Sequence, residues 1–503
     1  MGQEDCLMAD VIIMSDTHDV LESYLNSTSM VNQQVESYNR FIRIGIQRVV
    51  DGQSMVEPDV SGFAIKFGKA RLEQPVIIEA DSSTKRVMPN EALARNLTYA
   101  APIYISYTPV VSGIEKADSG GEAFIGEIPV MVKSDMCYTH NMTKEQLIVE
   151  GEDPEDPGGY FIIKGTERVL VGIEDLAPNR IMCTREKNRS VTSKVFSTTV
   201  NFRARCSITR DEYGIFRVLF PTISKGMDLV LILRALGLST KDILDGVTSN
   251  EIKNDMLLNI DLSKAKDMGT PDAIMDIGHM SAPNQAKTYQ EKRADMQLDT
   301  YILPHLGTDK QTRKEKAYFL LRMAERASLV SYGHVRSDDK DHYANKRIKL
   351  AGDLMEELFN NAFKFLVRDI KYHIERTTAR GRKLTVRGNI NADTLTEKIL
   401  YSMGTGSWPA GQTGVSQVLD RTNFMSTLAH LRRVKSPLAK KHPHLNARDV
   451  HGTHVGKLCP SETPEGTEVG LTRYLAIMSK VTVGADTKIL EEKMKELKLL
   501  SEK

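Results

Sequence analysis

The chain has 503 residues, with 67 Lys and Arg against 66 Asp and Glu, 41% apolar residues and 6% aromatics. That is the profile of an ordinary soluble protein with two or three domains rather than one core. No stretch reaches the roughly 18 apolar residues a membrane crossing needs, and the opening MGQEDCLMADVIIMSDTHDV has early acids and no long apolar run, so neither a span nor a signal peptide is expected.

In chain order, residues 63–67 and 75–79 read as strands, and 101–111 as a β-rich run broken by prolines. Residues 158–165 predict a short buried strand closed by glycines. Residues 198–210, the turn 211–214 and residues 215–220 predict a hairpin. An apolar helix is expected over 227–236, ending at Gly237. Residues 314–330 predict an amphipathic helix that stops near Gly333. The stretch 354–375 aligns Leu354, Leu358, Ala362, Leu366 and Ile370 in one row, with Phe359, Phe363, Val367 and Ile374 beside it, so a core-packing helix is expected. The tail 486–503 reads as a charged helix with a thin stripe of Leu490, Met494, Leu497 and Leu500 that needs a partner. Short strands mixed with long helices make the fold class α+β and multidomain.

Four residue sets could carry chemistry. His442, His444, His451, His454 and Cys459 invite a zinc reading. No H-E-x-x-H or C-x-x-C pair is present, and the other cysteines (Cys6, Cys137, Cys183 and Cys206) lie far apart, so no metal site is expected. That cysteine usage fits a reducing, cytoplasmic setting. Asp338, Asp339 and Asp341 could hold Mg2+, but Lys340, Lys346 and Arg347 interleave, and a salt-bridge cluster is the better account. Gly404, Gly406, Gly411 and Gly414 lack the G-K-[ST] of a P-loop and predict a flexible loop.

The fourth set is basic: Arg421, His430, Arg432, Arg433, Lys435, Lys440, Lys441 and Arg448. Between 371 and 460 there are 15 Lys and Arg against 5 Asp and Glu, a local net of +10 in a chain whose whole net is +1, so the remainder carries −9. Gln417, Asn423, Ser426 and Thr427 interleave with these charges. A surface of this kind suits phosphates and sugars.

At these residues a resemblance appears. GTGSWPAGQTGVSQVLDRTNFMSTLAHLRRVKSPL (404–438) and ARDVHGTHVGKLCPSETPEGTEVGL (447–471) resemble the second-largest subunit of multisubunit, DNA-dependent RNA polymerases. MPNEALARNLTYAAPIYI (88–105), FIGEIPVMVKSDMC (124–137), GGYFIIKGTERVLVGIEDLAPNR (158–180) and DDKDHYANKRIKLAGDLM (338–355) resemble it in the same order. The short loop from Trp408 to Gly414 and the ending at Lys503 are similar to the archaeal form divided into two polypeptides, in its amino-terminal half (B″ type).

The resemblance implies a protrusion (1–183 and 344–398), an inserted lobe (184–343), a fork (399–480) and the start of a further domain with a helical tail (481–503). It implies a transcription subunit, silent in catalysis by itself, that borders the DNA cleft and touches the RNA–DNA hybrid and downstream DNA. Gln417, Arg421, His430, Arg432, Arg433 and Arg448 match nucleic-acid-contact positions. Gly404, Gly406, Trp408, Gly411 and Gly414 match a fork loop, where Trp408 either stacks on nucleic acid or packs in the core. Asp420, Glu462 and Glu465 match residues that support the active centre. No cofactor is implied on this chain. The catalytic aspartates (N-A-D-F-D-G-D) and their Mg2+ are implied on the largest subunit. The implied partners are the carboxyl-terminal half of the same subunit, the largest and other polymerase subunits, DNA template and RNA transcript, with no membrane. Two alternatives compete: a free-standing metallohydrolase built on the histidines and Asp338–Asp341, and a regulatory paralogue that docks on polymerase.

Overall fold

In the computed structural model the described residues are 18–497, apart from 21, 25–28, 61, 80, 82, 117–119, 187, 200–201, 224–225, 382–385, 442 and 485–486. Cys6, His442 and Leu500, singled out above, lie outside the described residues. The architecture is mixed α+β, in two compact units: residues 1–175 with 348–503, and residues 176–347.

The first unit opens with α1 (Asn32–Arg40) and a sheet in which β1 (Phe63–Leu72), β2 (Ala100–Val111) and β3 (Gly121–Pro129) run antiparallel with β2 central. The expected break in this run is absent. Pro102 and Pro109 sit inside one 12-residue strand, because a proline costs the ladder only its N–H. Both proline carbonyls still accept, from Glu73 N–H (3.1 Å) and Lys116 N–H (2.9 Å). The buried segment is β4 (Phe161–Ile163), which turns at Lys164–Gly165 into β5 (Thr166–Leu170). β6 (Gly172–Leu176) follows.

The second unit is a meander of β7 (Met182–Arg185), β8 (Val191–Thr198), β9 (Arg203–Arg210), β10 (Phe216–Leu219) and β11 (Met227–Asp228), each pairing antiparallel with the next. The expected 215–220 arm of the hairpin is thus β10, while Thr198 ends a separate strand. The helix predicted over 227–236 is α2 (Leu229–Ala235). It starts two residues late because Asp228 caps it, accepting from Val230 N–H at 3.1 Å. Further helices include α3 (Asn250–Leu262) and α4 (Arg313–Tyr332), which ends at Gly333 as expected.

The largely apolar core of this unit encloses buried charges, among them an ion pair and Lys316. Arg210 reaches Asp255 at 2.9 and 3.2 Å, and the hydroxyls of Ser328 (3.1 Å) and Tyr332 (2.7 Å) donate to the same carboxylate. The acidic run is a salt-bridge cluster: Asp338 takes Arg326 (3.0 Å) and Cys183 N–H (2.9 Å), and Asp341 lies 4.0 Å from Lys346.

The chain re-enters the first unit in α5 (Ala351–Ala379), whose predicted apolar rows are all buried. Its first N–H groups, which no helical carbonyl can satisfy, are met by α1: Ala351 donates to Gln34 Oε1 and Gly352 to Ser37 Oγ, each at 3.0 Å. A Cβ on Gly352 would fall 1.9 Å from the Ser37 carbonyl oxygen, so only glycine permits this crossing. Then come α6 (Ala392–Thr405), β12 (Ser416–Val418), α7 (Phe424–Leu431), β13 (Arg433–Lys435), β14 (Thr472–Tyr474) and α8 (Thr487–Glu496). β12 adds antiparallel to β5, while β13 joins β6 in parallel and β14 antiparallel. Leu490 on α8 and Leu497 just past its end are exposed.

Candidate nucleic-acid interface

Two strands and a short helix place the site. β12 carries Gln417, α7 carries His430, and β13 starts at Arg433. Asn423 caps α7 by accepting from Ser426 N–H at 2.8 Å. Ser426 and Thr427, read above as phosphate-binding side chains, are also spent on this turn. Ser426 Oγ donates to Asp420 (2.5 Å), and Thr427 Oγ1 to the Asp420 carbonyl (2.7 Å). Hydroxyl and amide donors from Ser426 and Thr422 hold the Asp420 carboxyl well below the usual range.

His430 is the hub. Asp420 N–H donates to its Nδ1 at 3.1 Å, which fixes that nitrogen as an acceptor and puts the proton on Nε2. Nε2 therefore donates to Gln417 Oε1 at 3.0 Å. Arg433 donates to the same oxygen at 3.2 Å, and Gln417 Nε2 donates to the Gly414 carbonyl at 3.0 Å. Burial and then the Arg433 charge bring the His430 pKa down to about 4, with Asp420 opposing. The ring is neutral at physiological pH.

The other arginines are occupied inside the chain. Arg421 forks onto Glu167 (2.7 and 2.8 Å), reaches Asp156 (3.0 Å) and covers the Tyr160 ring. Arg432 is buried and donates to the carbonyls of Met30 (2.6 Å), Ala476 (2.6 Å) and Ile477 (3.2 Å). Arg448 donates to the carbonyls of Pro443, Lys440, Thr467 and Val469 at 2.8–3.0 Å, fastening the basic loop to the ETPEG loop. Lys440 pairs with Glu468.

Arg433 lies over the Tyr474 ring and lines a groove of about 540 Å3 with Asn423, Met425, Arg432 and Glu462. Partial desolvation there pushes the Glu462 carboxyl up, while Arg433 and Arg432 pull it down. Glu465 is exposed, at the start of the turn Gly466–Glu468.

The glycine loop departs from expectation at Gly404, and at Trp408 it takes the core-packing alternative. Gly404 belongs to the last turn of α6, and Trp408 is a core residue, 5% exposed, whose indole donates to the Leu354 carbonyl at 3.0 Å. Stacking by Trp408 on nucleic acid is thereby excluded in this conformation. Gly406 ends α6 with φ 75°, and a Cβ there would lie 2.6 Å from the Ser416 carbonyl oxygen. The loop then closes through Trp408 N–H to Gln412 O (2.8 Å) and Val415 N–H to Gly406 O (3.2 Å).

Among the described residues, the one grouping that could converge on an ion is His18, Asp19 and Glu22, all exposed, and it includes neither the later histidines nor Asp338–Asp341. Among the same residues no helix is long and apolar enough to cross a membrane.

The sequence pattern described as "RNA polymerase beta subunit" matches residues 29–397, and that of "RNA polymerase Rpb2, domain 3" matches 417–481. The chain belongs to the RNA polymerase β-subunit family. It is 44% identical over 488 residues to the "DNA-directed RNA polymerase subunit Rpo2N" of Methanocaldococcus jannaschii, covering 95% of this chain and 98% of that one. The Rpo2N of Halobacterium salinarum is 41% identical over 493 residues, 94% of each chain. The "DNA-directed RNA polymerase subunit Rpo2" of Saccharolobus solfataricus is 41% identical over 496 residues, which are 97% of this chain and 44% of the relative.

This polymerase subunit is thus a transcription component matching the amino-terminal half of the second-largest subunit, and it works in a multisubunit polymerase. The metallohydrolase and docking-paralogue alternatives are disfavoured. Sequence reading of the polymerase subunit missed Glu167, Gln34 and Tyr474, which hold Arg421, the α1–α5 junction and Arg433. Each acts across a long sequence separation, so no local spacing signals it.

Proposed function

We propose that this polymerase subunit forms one wall of the cleft that holds DNA and the RNA–DNA hybrid. It would contact phosphates and sugars without reading bases, as an enzyme that transcribes any sequence requires. The reading rests on the Gln417–His430–Arg433 network, which sits in the segment of net charge +10 and keeps one arginine fork beside an open groove.

In this reading Arg433 and Gln417 touch the hybrid and neutral His430 orients Gln417. Arg421, Arg432 and Arg448 take a supporting part, since their donors already lie on carboxylates and carbonyls. Asp420, Glu462 and Glu465 brace the active centre, and residues 404–414 serve as a fork loop. Residues 184–343 are the lobe, 1–183 with 344–398 the protrusion, 399–480 the fork, and 481–503 the start of the next domain. The catalytic aspartates and Mg2+ belong to the largest subunit, the carboxyl-terminal half completes this one, and the assembly works in the cytoplasm.

The test is Arg433→Ala in reconstituted polymerase, scored by hybrid retention against salt. The log–log slope should fall by about one for the lost phosphate contact. An unchanged slope overturns the assignment.

A further inference from the structure

A second groove, of about 890 Å3, lies between the β4–β5 turn and one face of α6. Helical spacing puts Thr394, Glu397, Lys398, Tyr401 and Thr405 along that face, while Leu395, Ile399 and Met403 bury the opposite one. Tyr401 is 65% exposed and lines the groove, so its ring is open to a ligand there. Lys164 at the turn and Arg168 on β5 face the same space, and among the described residues neither has a carboxylate within ion-pair distance. Lys398 adds a third cation, held over the Phe365 ring at 4.4 Å.

The groove adjoins the strand of the site above: Arg168 pairs in register with Val418, the residue after Gln417, across β5 and β12. An exposed ring flanked by unpaired cations is what a single-stranded nucleic acid binds: any base stacks, and its phosphates are neutralised on either side. Glu397 is the odd member. A carboxylate repels phosphate, but it accepts a hydrogen bond from a ribose 2′-hydroxyl, which DNA lacks.

We infer that this groove is a stacking site for unpaired RNA, with a base on Tyr401, the flanking phosphates on Lys164 and Arg168, and a ribose hydroxyl on Glu397. The inference rests on the nucleic-acid reading of the site that includes β12 and adds a second groove to it.

The test uses the full chain and fluorescence anisotropy with labelled oligouridylate and oligodeoxyuridylate. RNA should bind more tightly than DNA, and Glu397→Gln should narrow that preference. Tyr401→Ala should weaken RNA binding by about fivefold or more, and Tyr401→Phe should restore it. Lys164→Ala with Arg168→Ala should make the salt dependence shallower. Equal binding of RNA and DNA, or an unchanged affinity in Tyr401→Ala, overturns the proposal. If Arg433→Ala alters the polymerase's salt slope while Tyr401→Ala does nothing, the groove assignment alone falls. The reverse pattern sinks the hybrid contact and keeps the groove.

Discussion

Adjacent arginines do opposite work here. Arg432 spends its guanidinium on three backbone carbonyls at a 7% exposed position, whereas Arg433 shares a side-chain oxygen beside an open groove. Arg432→Met should therefore cost about 2–4 kcal/mol, because buried carbonyls lose a charged donor. Denaturant midpoints would check this, with Arg433→Ala as the nearly neutral comparison. His430 makes a second prediction. Its folded pKa is about 4 against an ordinary 6.5, so as pH falls the unfolded chain takes up the proton first. The stability it lends is complete above 6.5 and is lost as pH falls from 6.5 towards 4. Denaturation midpoints followed through that window should fall more steeply in the native chain than in His430→Gln. Equal slopes would rule out His430 as the group responsible.

The loop after α6 is anchored rather than free, and Trp408 is the anchor. Its ring joins the core around α5 and its N–H holds Leu354 O. Trp408→Ala should cost about 3–5 kcal/mol, read as a lowered unfolding midpoint. Little loss would mean that the loop, and not the ring, holds this corner.

What the sequence revealed follows the range of the forces involved. α5 was legible because 29 residues repeat one apolar period, and the hairpin around 211–214 because its turn residues are local. The inner arginines were not. Arg432 meets Met30 at a separation of 402 residues and Arg421 meets Glu167 at 254, so composition showed a basic stretch without showing which charges were already paired. The prolines of β2 misled for a related reason, since the missing N–H matters only where a neighbouring strand would have used it.

Taken as one molecule, the chain is two compact units threaded by a single polypeptide. Residues 176–347 form a continuous insertion with an apolar core of their own and the buried Arg210–Asp255 pair within it, while Trp408, the chain's one tryptophan, lies in the other unit. Far-UV circular dichroism therefore reports both units and tryptophan fluorescence reports only the first. Asp255→Asn leaves Arg210 charged and buried against a neutral amide, which typically costs about 3–5 kcal/mol for a broken buried pair. That loss is confined to the insertion. In thermal melts of the full chain, Asp255→Asn should lower the dichroism transition of the insertion and leave the fluorescence transition in place. Residues 176–347 expressed alone should unfold cooperatively and show the same shift. A fluorescence midpoint that moves in step with the dichroism would mean that the two units melt as one cooperative body, and the insertion would then not be an independent folding unit.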